Sequence, residues 1–168
     1  MSKTLVDHAA DFAYNMHMGQ KRKYTGHPYW THCAAVASQV ERWGGTEEMI
    51  AAAWLHDTIE DTDTTLDQIA NTFGNAVALF VIWLTDVYTP EQYPAYNRAT
   101  RKHLEADRLR KAPLEVKVIK LADIANNTKD VVQNDPKFAK VYFEEKAYLL
   151  SCIGDALDKW REHAKRQS

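Results

Sequence analysis

Ala52-Ala53-Trp54-Leu55-His56-Asp57-Thr58-Ile59-Glu60-Asp61-Thr62 sets four ionisable side chains, His56, Asp57, Glu60 and Asp61, directly behind an apolar run that by itself reads as a buried helix. Imidazole and carboxylate are costly to bury unpaired, so the stretch needs partners from elsewhere in the fold. On a helix, residues three and four apart share a face, which sets Glu60 one turn beyond His56 and Asp57, and Asp61 one turn beyond Asp57. A cation would satisfy the first pair and give the second pair a role. Imidazole and carboxylate suit Mn, Fe or Zn, and the lack of a nearby thiolate argues against a structural zinc cross-brace. A helix end carrying solvated acids has the same local text, so the surrounding chain must decide.

Upstream, Leu5, Ala9, Phe12, Ala13 and Met16 recur at helical spacing and predict a first helix over 3–18, stopped by Gly19. A basic turn from Gln20 to Pro28 leads to a second helix over 29–43, where Ala35, Val36 and Val40 continue a stripe behind His32. Thr46 suits the N-cap of the third helix, with Glu47 and Glu48 where the helix dipole favours acids. Downstream, Leu66, Ile69, Ala70 and Phe73 predict a fourth helix ended by Gly74, and the nearly all-apolar stretch 75–85 a fifth, central to the core. Two prolines exclude continuous helix over 86–94. A sixth helix over 95–111 is rich in arginine, and a seventh begins at Pro113 with Val116, Ile119, Ala122 and Ala125 on its apolar side. Asp123 lies inside that apolar segment, where a salt bridge to Lys120 would account for it as readily as a ligand role. Pro136 opens the last helix, with apolar residues from Phe138 to Trp160 at heptad-like intervals. No strand-like alternation or repeat appears. The expected fold is all-α, a single domain over residues 1–168 built as a bundle of about eight helices.

A chain of 168 residues is long enough to bury about two-thirds of its unfolded surface without staples, so a metal would serve function more than folding. The net charge of -2, with acids and bases interspersed, argues against nucleic-acid and polybasic membrane binding and leaves any anionic ligand to local basic residues. Cys33 and Cys152 are far apart and read as reduced thiols. The first residues lack the apolar stretch of a secretory signal, and the run 76–84 is too short to span a bilayer, so a soluble cytoplasmic protein is expected.

His32, His56, Asp57 and Asp123 offer two imidazoles and two carboxylates from three predicted helices, the way bundle interiors build metal sites. The order H…HD…D resembles the HD-domain metal-dependent phosphohydrolases, and the local text narrows the resemblance to the RelA/SpoT-type alarmone hydrolases. His17-Met18-Gly19-Gln20-Lys21-Arg22-Lys23 looks like AHxGQxRK, Gly26-His27-Pro28-Tyr29 with His32 like GxPYxxH, His56 to Thr62 like HDxxEDT, and Lys120-Leu121-Ala122-Asp123 like KLAD. The likeness extends over about residues 5–130. Larger members continue into a synthetase half, so the chain is similar to the stand-alone small hydrolases, which degrade their nucleotide. The resemblance implies that His32, His56, Asp57 and Asp123 hold one Mn²⁺, that Glu60 and Asp61 handle the attacking water, and that Arg22, Lys23 and Asn127 contact substrate. Two departures stand out. Asp123-Ile124-Ala125-Asn126-Asn127 replaces the common Asp-Arg-Leu-His-Asn, removing a charge near the site, and Cys33 replaces the Pro after the first metal His.

The chemistry agrees. A cation acidifies water and neutralises phosphate oxygens while a nearby carboxylate orients the water or takes its proton. The turn Lys21-Arg22-Lys23 and the residues Arg98 and Arg101 offer guanidinium and ammonium for further phosphates, although exposed charges are equally often mere solvated surface. The expected activity is metal-dependent hydrolysis of the 3′-pyrophosphate of guanosine polyphosphates, yielding GDP or GTP and pyrophosphate. One alternative keeps the chemistry on another small nucleotide, such as (p)ppApp, a nucleoside monophosphate or NADPH. A second is a nucleotide sensor without turnover, disfavoured because binding alone has little use for Glu60 and Asp61.

Overall fold

Side-chain caps mark where half of the ten helices begin. Thr4 and Thr65 each form a reciprocal capping box, with Asp7 and Gln68, while Thr46, Asn97 and Asp135 accept from the amides of Met49, Thr100 and Phe138. Each such cap contributes about 1 kcal/mol. In the computed structural model, which describes residues 1–168, the helices are α1 (Leu5–Met16), α2 (Trp30–Arg42), α3 (Glu47–Leu55), α4 (Thr58–Asp61), α5 (Leu66–Phe73), α6 (Asn75–Leu84), α7 (Arg98–Arg110), α8 (Leu114–Asn134), α9 (Pro136–Ile153) and α10 (Ala156–Gln167). No strand is present, only an isolated bridge between Lys21 and Pro28. The eight predicted helices are all there. Two are broken: the third at His56–Asp57, where Asp57 takes φ -101° and ψ 0°, and the last at Gly154–Asp155.

One contiguous core of 28 buried residues joins the helices. Its centre is α3, which packs on α1, α2, α6 and α8. Ala51, Ala52 and Ala53 are fully buried, and side chains this small let neighbours approach the helix from several sides. The expectation that the apolar helix α6 is the central one is corrected here. α6 buries Val77, Ala78, Val81 and Leu84 but leaves Leu79 and Ile82 exposed at 48% and 37%. It carries more apolar surface than its neighbours cover. No helix is long and apolar enough to cross a membrane.

Candidate metal centre and substrate cleft

The break in the third predicted helix places the His-Asp pair. His56 caps the end of α3 and Asp57 precedes α4, while His32 lies in the first turn of α2 and Asp123 midway along α8, the two helices that flank α3. The four side chains converge. Nε2 of His56 is 3.0 Å from Oδ2 of Asp57 and 3.6 Å from Oδ1 of Asp123, and Nε2 of His32 is 3.1 Å from Oδ1 of Asp123 and 3.7 Å from Oδ2 of Asp57. Ligand atoms of His32, His56 and Asp57 all lie within 4.8 Å of one another.

The opposite ring nitrogens are tied to acceptors. Nδ1 of His32 meets Oδ1 of Asn126 at 2.6 Å, and Nδ1 of His56 meets the carbonyl of Ala53 at 2.7 Å. An oxygen acceptor there puts the proton on Nδ1 and leaves a lone pair on Nε2, the tautomer that binds metal. Both Nε2 atoms are buried and make no hydrogen bond. Two orphaned imidazole nitrogens aimed at two carboxylate oxygens fit a divalent cation, which would accept all four donors at once.

The charges around the centre support the same arrangement. Burial alone would push the Asp57 and Asp123 carboxyls up; His56 and His32 outweigh it for Asp57, and Lys120 with both imidazoles outweighs it for Asp123, so both acids are held well below the usual range. Burial would push His56 down, but Asp57 and Asp123 raise it well above the ordinary imidazole value. The cluster therefore already demands positive charge.

Neighbours hold these ligands in place. Tyr29 donates its hydroxyl to Oδ2 of Asp57 at 2.6 Å, Asn127 donates to Oδ1 of Asp123 at 2.8 Å, and Lys120 donates to Oδ2 of Asp123 at 2.8 Å. The Lys120 salt bridge that the sequence offered as an alternative to a ligand role coexists with the convergence of Asp123 on the imidazoles. Tyr29 and Asn126 were not among the expected site residues; the only sequence signal for Tyr29 is its place in the motif that carries His32. Tyr29→Phe should weaken Mn²⁺ binding by about 10–100-fold, the usual cost of losing an outer partner of a ligand. Competition with a fluorescent chelator reads the change, with the melting temperature of the metal-free protein as control. Unaltered affinity would remove Tyr29 from the centre.

Glu60 and Asp61 reach a cleft of about 430 Å³ that also contains Asp86, Arg98, Arg101 and Lys102. Both acids keep an open side to the cleft. Desolvation by the cleft walls, then Asp86 and Asp57, push Glu60 up to about 7, although the Asp86 amide donates to its carboxylate. Desolvation and Asp57 likewise raise Asp61. Gln20 donates to the Asp61 carbonyl at 2.7 Å and is itself bonded to His17, which anchors this end of α4 to the end of α1. Of the expected phosphate contacts, Arg98 and Arg101 line the cleft, with Arg98 bonded to Glu145 at 2.6 Å and Arg101 to the Tyr96 carbonyl. The structure does not bring the other basic cluster to the same place. Arg22 is ion-paired with Asp130, bonds Oδ1 of Asn127 at 3.3 Å and faces a separate cavity of about 140 Å³ beside His32. Lys23 is exposed, its ammonium 5.1 Å from the Tyr24 ring centroid.

Residues 9–148 match a family profile described as HD domain. The human guanosine-3′,5′-bis(diphosphate) 3′-pyrophosphohydrolase MESH1 is 36% identical over 132 residues, covering 77% of this chain and 70% of that protein. A probable guanosine-3′,5′-bis(diphosphate) 3′-pyrophosphohydrolase of Synechocystis is 32% identical over 163 residues, 94% of this chain. The chain spans about a fifth of the length of that relative and of a similarly named one from Aquifex aeolicus. A solved structure described as a metazoan orthologue of SpoT that hydrolyses ppGpp superposes with a TM-score of 0.81 at 25% identity, over 99% of this chain and 97% of that one.

Proposed function

This chain belongs to the HD-domain family, and from that footing we propose that it hydrolyses the 3′-pyrophosphate of guanosine polyphosphates, (p)ppGpp, releasing GDP or GTP and pyrophosphate. The observation that carries the reading is the convergence of His32, His56, Asp57 and Asp123, with Glu60 and Asp61 one helical turn beyond it in a cleft that also holds Arg98, Arg101 and Lys102. We take the resident cation to be one Mn²⁺, since the four side chains offer imidazole and carboxylate and no thiolate. When bound, such a cation neutralises phosphate oxygens and lowers the pKa of water. Glu60, held near neutrality, accepts the proton of the attacking water, and Asp61 orients that water. Arg98 and Arg101 grip phosphate on the far side of the ribose. Arg22 and Asn127 brace Asp123, since Arg22 bonds Asn127 and Asn127 donates to Asp123. Two buried free thiols, Cys33 and Cys152, suit a cytoplasmic setting for this chemistry.

The test is a nucleotide panel with Mn²⁺, with and without chelator. The kcat/KM for a 3′,5′-polyphosphorylated guanosine should exceed that for GMP by at least about 10²-fold, since two charge-assisted contacts amount to roughly 3 kcal/mol. The double variant Arg98→Ala, Arg101→Ala should erase most of that preference. Equal efficiency toward monophosphates in the unmutated protein would replace the alarmone reading with a nucleotidase.

A further inference from the structure

Lys146, alone among the bases around it, forms no ion pair. The bases around it are each paired: Lys120 with Asp123 at 2.8 Å, Lys102 with Asp86 at 3.2 Å, Arg98 with Glu145 at 2.6 Å and Arg108 with Glu105 at 2.8 Å. The three carboxylates that line a cavity with Lys146, those of Asp86, Glu105 and Glu145, are thus already taken. The Lys146 ammonium makes no hydrogen bond to protein and lies 5.1 Å from the centroid of the Tyr142 ring.

Its position is set by helix geometry. Tyr142, Glu145, Lys146 and Leu149 fall at the spacing of one face of α9, and Tyr142 and Leu149 are buried, so Lys146 stands on the inner stripe of the helix. A lysine so placed usually threads its ammonium out to bulk water. Lys146, half-buried, also lines a cavity of about 30 Å³ shared with Lys102, Lys120 and Glu105. Asp86 and Lys102 line both that cavity and the 430 Å³ cleft that holds Glu60, so the two spaces share the wall formed by this ion pair. Burial, then Lys120 and Lys102, push Lys146 down to about 8, as expected for one ammonium too many among enclosed charges.

We propose that Lys146 is a specificity-determining contact, supplying the positive charge for one oxygen of the phosphate group that the nucleotide carries on the side away from the metal centre. The small cavity has room for about one water-sized group, which suits a single phosphate oxygen entering past Lys102 while the rest of the group stays in the cleft beside Arg98. A phosphate there supplies the negative charge that the already paired acids do not. This deepens the alarmone reading and rests on it for the identity of the nucleotide.

The test is calorimetric titration of GDP, which carries only the far-side diphosphate, into Mn²⁺-loaded protein. Lys146→Met and Lys146→Gln should each weaken GDP by at least about tenfold, one charge-assisted contact, with Mn²⁺ affinity unchanged. GDP affinity that stays at the unmutated value in both variants overturns the proposal. So does joint loss of GDP and Mn²⁺ binding in both, the signature of a lysine that merely supports the fold. Failure of the alarmone reading shows separately, as absence of (p)ppGpp turnover by the unmutated protein, which the GDP titration does not require.

Discussion

His56→Ala should abolish turnover and tight Mn²⁺ binding together, and Asp57→Ala should do the same. Each removes one of four donors that meet at the junction of α2, α3, α4 and α8. The other groups bonded to Asp123 are the ammonium of Lys120 and the amide nitrogen of Asn127, neither of which ligates a cation. The loss of metal affinity should therefore exceed the roughly 10–100-fold expected for an outer partner such as Tyr29. In His56→Ala the carboxylates of Asp57 and Asp123 also lose the imidazole that offsets their burial, so their mutual repulsion rises. Metal binding by calorimetry and turnover with excess Mn²⁺ check the expectation. A purified variant that hydrolyses nucleotide normally in EDTA would refute the metal assignment.

Glu60→Gln and Asp61→Asn should act differently, keeping the metal while lowering kcat by roughly 10²- to 10⁴-fold, the range for a positioned acid or base. Both side chains line the cleft and neither is among the atoms that converge with His32. Because Glu60 is pushed up to about 7, its basic form grows as pH rises toward neutrality, so kcat should climb over that range in the unmutated protein and flatten in Glu60→Gln. Linkage gives the companion sign. A carboxyl whose folded pKa is raised contributes stability that is fully present below its unfolded pKa and is lost as pH rises through about 7. Metal-free Glu60→Gln should thus gain in melting temperature relative to the unmutated protein above neutral pH and not below pH 4. Rate losses under about tenfold in both variants would point to another base or to a sensor.

Helical spacing and caps made most of this fold legible in the sequence: Thr46 and Thr65 mark helix starts that the structure shows, and the apolar stripes of α1, α2 and α8 face inward. The metal residues were legible as types and order, because imidazole and carboxylate inside apolar segments are costly without a shared partner. Other features were not. Periodicity runs smoothly through His56 and Asp57, so the break between α3 and α4 leaves no mark in it. The pairing of Arg22 with Asp130 and the bond from His32 to Asn126 join residues 108 and 94 positions apart, and no local rule encodes such meetings. Lys146 looked like one more charged residue on an amphipathic helix; only the positions of its neighbours show that their acids are already used.

The hydrophobic core contains none of the four convergent ligands. Small zinc domains are assembled by their ion and collapse when it is stripped. Here 28 buried apolar residues form a continuous core without any metal ligand among them, and the imidazoles and carboxylates are set on that scaffold. Cation and scaffold should therefore be separable: chelation is expected to leave the helical fold standing.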